Sequence, residues 1–88
     1  MYILKVKKSV DNFLYTLENY DEIKLKIQQL KHFKSSKKLD LDIKKMQNIK
    51  KNQEFYRLRI GDVRVIFQLL KKENIIWVKT ANFRGKVY

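Results

Sequence analysis

Residues 55–67 read FYRLRIGDVRVIF, and three arginines, Arg57, Arg59 and Arg64, interrupt a run that otherwise alternates apolar side chains. A guanidinium is planar, always charged, and presents paired N–H donors that match carboxylate and phosphate oxygens. Three of them within the length of one hairpin point to the binding of an anion, with phosphate the best geometric match. The C-terminal string NFRGKVY adds Arg84, Lys86 and Tyr88. Thiol chemistry is excluded, because the sequence has no cysteine and hence neither a disulfide nor a thiolate metal site. His32, the one histidine, reads as a surface or packing residue. No metal site and no cofactor are expected.

Composition gives the same direction. Across 88 residues, 21 Lys and Arg face 9 Asp and Glu, a net charge of +12. Such an excess in so short a chain implies a polyanionic partner: nucleic acid, an acidic protein or an anionic membrane surface. The membrane is the weakest of these. No apolar run approaches the roughly 20 residues of a spanning helix, and MYILKVKK has too short an apolar part for a signal peptide. The length suits one domain, residues 1–88, with a thin core, and the lack of cysteine is compatible with a reducing, cytoplasmic setting.

The elements that must hold these residues follow from periodicity. Residues 2–6 (YILKV) suit a first strand. Ser9 is a candidate N-cap for a helix in which Val10, Phe13, Leu14 and Leu17 share a face, with Asn19 closing it. Asp21 is a candidate cap for a second helix, lined by Ile23, Ile27, Leu30 and Phe33. The two stripes imply an antiparallel helix pair lying on a sheet. Residues 34–53 show no clear period and read as a connector, anchored by Leu39, Leu41, Ile43, Met46 and Ile49. Strands follow at 55–60, 63–69 and 75–83. The expected fold is a small α+β domain in the order β-α-α-β-β-β, with two N-terminal helices packed on a mostly antiparallel sheet.

Gly61-Asp62 is a two-residue hairpin signal, with glycine where a type II′ turn needs it. That turn fixes the register. Ile60 faces Val63, Arg59 faces Arg64, Leu58 faces Val65, and Arg57 faces Ile66. Tyr56, Leu58, Ile60, Val63, Val65 and Phe67 then build the face under the helices, and Arg57, Arg59 and Arg64 share the other. Like charges directly opposed across a ladder are unfavourable, and an anion held between them removes the repulsion. The plain alternative is an open sheet face solvated by its arginines, with Asp62 or other carboxylates neutralising them. If the last strand lies beside 63–69, Arg84, Lys86 and Tyr88 come near the mouth of the same face. Trp77 is either core or a flank of the charged face.

FYRLRIGDVRVIF, a short turn, and IIWVKTANFRGKVY, with LDIKKM upstream, together resemble the RelE/ParE toxins of prokaryotic toxin–antitoxin systems. The order of elements matches over nearly the whole chain. The resemblance implies a type II toxin with a microbial ribonuclease fold, a cytoplasmic endoribonuclease that needs no metal and cuts mRNA in the ribosomal A site. By motif position, Arg57 and Arg59 match the basic pair before the hairpin turn and Arg64 the arginine after it. Arg84 matches the basic residue before the closing Val-Tyr, and Tyr88 a C-terminal aromatic that assists the chemistry in some members. Arg64 and Arg84 would stabilise charge on the phosphoryl oxygens, while Arg57 and Arg59 position the backbone. Some members carry lysines where this chain has Arg57 and Arg59, and arginine is a poor general base. Phe83 stands where some relatives have His or another polar residue. Tyr88 and Lys86 remain as acid/base candidates.

The resemblance also implies partners: a cognate antitoxin with an acidic amphipathic segment, the ribosome and mRNA, but no membrane. Lys44, Lys45, Lys50 and Lys51, in the Lys-rich stretch 31–51, join Lys86 as candidate RNA contacts, against the plain reading of a solvated basic surface. Two other functions stay open. ParE-like members share the fold and act on DNA gyrase, and a non-catalytic nucleic-acid-binding module would also use the charge.

Overall fold

The computed structural model describes residues 1–38, 41–46 and 53–83, the side chains of 34–38 excepted. The chain runs β1 (Ile3–Val6), α1 (Lys8–Tyr15), α2 (Tyr20–Gln28), a 3-10 stretch (Gln29–Lys38), β2 (Asp42–Lys45), β3 (Glu54–Ile60), β4 (Val63–Leu70) and β5 (Ile75–Phe83). The strands form one sheet in the order β1-β5-β4-β3-β2. The pairing is antiparallel except between β1 and β5, which run parallel. The α+β class and the helices on one sheet face are as the sequence implies, with one strand more.

That extra strand is β2, which falls in the stretch read as a connector. Its four residues, DIKK, offer one apolar side chain, too little for a period-2 signal. Pairing with β3 makes it a strand: Asp42 faces Arg59, Ile43 faces Leu58, Lys44 faces Arg57 and Lys45 faces Tyr56. Leu41 and Ile43 pack against the core, while Leu39 and Ile49 lie outside the described residues.

The helix starts also differ from the capping signals. Lys7, not Ser9, precedes α1, and no side chain caps that end. The Lys7 N–H donates to Val78 O at 2.9 Å, and its carbonyl accepts from Val10 and Asp11. The end of the β1–β5 pairing therefore sets the first turn, and Ser9 is drawn inside the helix. Thr16 ends α1, its hydroxyl donating to Phe13 O at 2.7 Å. Asn19 precedes α2, and Asp21 sits in that helix's first turn, where a carboxylate favours the exposed N–H groups. Among the described residues, no helix is long and apolar enough to cross a membrane.

The core lies between the helices and one face of the sheet. Val10 and Leu14 of α1, Ile23 and Ile27 of α2, and Leu30 of the 3-10 stretch are buried there. They meet Leu58, Ile60, Val63, Val65, Phe67, Ile76 and Val78 from the strands. Phe33, Tyr56 and Phe67 form an aromatic knot, with Tyr56 and Phe67 stacked at 5.5 Å and Phe33 edge-on to both. Each such side chain removed from water contributes about 1.5–3 kcal/mol. Because this face carries the fold, the other face is released from packing duties.

Candidate nucleic-acid interface

The hairpin register is the one the Gly61-Asp62 turn demands: Ile60 pairs with Val63, Arg59 with Arg64, Leu58 with Val65 and Arg57 with Ile66. Gly61 has φ +56°, and Asp62 keeps a negative φ, the pattern of a type II′ turn. In such a hairpin the residues flanking the turn form the hydrogen-bonded pair. The next pair, Arg59–Arg64, is then non-hydrogen-bonded, the kind in which side chains stand closest.

Cross-strand partners share a face, so the open side of the sheet can be read as rows. The row nearest the turn is Asp42, Arg59, Arg64 and Asn82. Next come Lys44, Arg57, Ile66 and Thr80. The far row is Phe55, Gln68, Trp77 and Lys5. Arginines on two strands and a lysine on a third are thereby held within neighbouring rows, on backbone more rigid than a loop. Asp42 faces Arg59 and offsets part of the charge.

The three arginines differ in setting. Arg59 is exposed and Arg57 is half-buried. Arg64 is only 8% exposed, and its Nη1 donates to Gly61 O at 3.2 Å and to Val63 O at 3.5 Å. A buried guanidinium needs such acceptors. Two turn carbonyls thus hold one edge of the Arg64 head, and the turn that sets the register also orients this side chain.

Of the lysine candidates, Lys44 shares the arginine face, directly opposite Arg57. Lys45 belongs to the other side, opposite Tyr56, with its Nζ 3.6 Å from Glu54 Oε1. Lys50, Lys51, Arg84, Lys86 and Tyr88 lie outside the described residues. Phe83 is opposite Val63, on the helix side, with its ring edge-on to Phe13 at 5.3 Å. His32 is exposed.

Residues the sequence did not single out also occupy the open face. A β-bulge lies where Ile66 pairs with Thr80 but Phe67 with Val78, leaving Lys79 as the extra residue. The bulge reverses the alternation after Lys79, which puts Thr80 and Asn82 on the arginine face and Ala81 towards the core. The Lys79 Nζ lies 4.5 Å from the Trp77 ring centroid and 5.7 Å from that of Phe55. Trp77 is 37% exposed and so flanks the charged face instead of joining the core. No period-2 reading of 75–83 reveals a bulge, which is why this group was not legible as a unit.

The same arrangement of elements is found in solved structures. A chain of the archaeal RelE–RelB complex from Pyrococcus horikoshii OT3 superposes with a TM-score of 0.64 at 24% identity, covering 98% of this chain and 98% of that one. A chain of the RelB–RelE antitoxin–toxin complex from Methanococcus jannaschii gives 0.66 at 22% identity, covering 90% of this chain and 88% of its own. The chain has a RelE-like fold. No family model matches the sequence, and no curated protein does. In this RelE-like fold the arginine face is the open side of the sheet, opposite the helices.

Proposed function

We propose that the chain is the toxin of a type II toxin–antitoxin pair, a cytoplasmic endoribonuclease that cuts mRNA on the ribosome. The observation that carries this reading is the clustering of Arg57, Arg59 and Arg64 on one rigid sheet face, with Arg59 directly opposite Arg64. The RelE-like fold supports it, since both similar structures are complexes of RelE with RelB. By the same reading, a cognate antitoxin with an acidic segment covers the basic face and silences it.

The chemistry asked of the arginines is modest. The ribose 2′-oxygen attacks the adjacent phosphorus, the bond to the 5′-oxygen breaks, and a cyclic phosphate and a 5′-hydroxyl result. Negative charge grows on the non-bridging oxygens, and a guanidinium already in place stabilises it without reorganising. Arg64, held by the turn carbonyls, suits that task together with Arg84. Arg57 and Arg59 position the backbone through paired N–H donors. Tyr88 or Lys86 moves the protons, because arginine does not release one. Lys44, with Lys45, Lys50 and Lys51, contributes sequence-independent attraction to phosphate.

The test is to induce the chain without its neighbouring gene and map mRNA 5′ ends in translating cells. New ends at in-frame A-site positions, lost on Arg64→Ala or Arg84→Ala in folded protein, are expected. Growth arrest with intact mRNA would overturn the nuclease reading.

A further inference from the structure

We propose that Trp77, flanked by Lys79 and Phe55, is a base-stacking subsite for the RNA strand whose phosphates meet the arginines; the proposal rests on the nuclease reading above. Trp77 stands on the open face in one cross-strand row with Phe55, Gln68 and Lys5. A tryptophan more than a third exposed gains little for the fold. What it presents is a wide π surface on a sheet, the platform on which single-stranded bases are known to stack. Cations surround it: Lys79 sits over the ring, and Lys5 is its partner in β1.

Spacing ties this row to the arginines. Phe55 and Arg59 are four residues apart on β3, a run of about 13 Å at strand rise. That is at most about four nucleotides at stacked spacing, so one short strand reaches both. A cation–π contact at an exposed site is weaker than a base stacked on an aromatic ring. An incoming base therefore displaces the Lys79 ammonium, whose flexible stem lets it turn to a backbone phosphate. An acidic peptide would also be drawn by the lysines, but it has no use for two ring faces in particular.

Trp77 is the single tryptophan of the sequence, so its emission reports the site directly. The full chain is titrated with a short 2′-O-methyl RNA, which lacks the attacking hydroxyl, and with an abasic strand of equal charge. Stacking predicts quenching by the base-bearing strand, and a Trp77→Leu affinity loss of roughly 5- to 100-fold for that strand. Abasic affinity stays unchanged, and Trp77→Phe recovers part of the loss. If Trp77→Leu binds both strands as the wild type does, while Arg59→Thr still weakens both, the subsite is refuted and the arginine reading stands. If neither strand binds in a salt-dependent way, the underlying nuclease reading falls and takes this one with it. Quenching by an acidic peptide but not by RNA overturns the proposal in favour of a protein-docking face.

Discussion

Arg59 is the residue whose removal best separates a functional role for the arginine face from a structural one. It is exposed, and its cross-strand partners are Arg64 on one side and Asp42 on the other. The repulsion and the attraction are each worth about 0.2–1 kcal/mol and oppose one another. Threonine suits a strand position. Arg59→Thr should therefore change stability by less than about 0.5 kcal/mol, a melting shift within roughly 2–4 °C for a domain of this size.

Binding should respond quite differently. If Lys44, Arg57, Arg59 and Arg64 each neutralise one phosphate of a single strand, log K falls against log salt with a slope of about −2.8. Between about 50 and 200 mM salt the wild type then loses roughly 50-fold in affinity. Arg59→Thr removes one contact, which brings the slope to about −2.1 and the loss over the same range to about 20-fold. Fluorescence anisotropy with an uncleavable 2′-O-methyl RNA measures both slopes, and a thermal melt checks the fold. An unchanged slope would mean that Arg59 meets no phosphate. A loss of several kcal/mol in stability would mean that the arginine is a structural element and that the open face has been misread.

Two further substitutions test the scaffold. Phe67 is fully buried in the aromatic knot with Tyr56 and Phe33, so Phe67→Ala should cost about 3–5 kcal/mol, read as a lowered urea midpoint with little native protein left at high temperature. Gly61 has φ +56°, and a Cβ built there would meet nothing within 4 Å; Gly61→Ala should thus cost about 1 kcal/mol from backbone strain alone, seen as a lower melting temperature, and Gly61→Asn should cost less.

How much of this was legible depended on where local chemistry outweighs tertiary context. The hairpin was fully readable, because Gly61-Asp62 leaves one register and alternation then assigns every residue to a face. The helix stripes were readable as stripes, and the buried Val10, Leu14, Ile23 and Ile27 follow them. Their starts were not. Ser9 and Asp21 are good caps in isolation, but the hydrogen bond from Lys7 to Val78 begins α1 earlier than Ser9 would. β2 exists because β3 has an unpaired edge to offer, a property of the partner and not of the sequence DIKK. The Trp77 group was hidden by the bulge at Lys79, since one unpaired residue changes the face of everything after it.

The two faces of the sheet divide the work, and that division explains why a repulsive arrangement persists in so small a fold. Arg59 opposite Arg64, and Lys44 opposite Arg57, cost together on the order of 1–2 kcal/mol. The helix face repays this with side chains such as Leu58, Val65, Phe67, Ile76 and Val78, all fully buried, each contributing about 1.5–3 kcal/mol. Strand alternation makes the exchange possible, because neighbouring residues on β3 and β4 serve opposite faces with no change of backbone. Arg64 joins the two roles. Its donation to Gly61 O fastens a charged head to the turn that fixes the core register, so the residue best placed for transition-state charge is also the one whose position the fold controls most tightly.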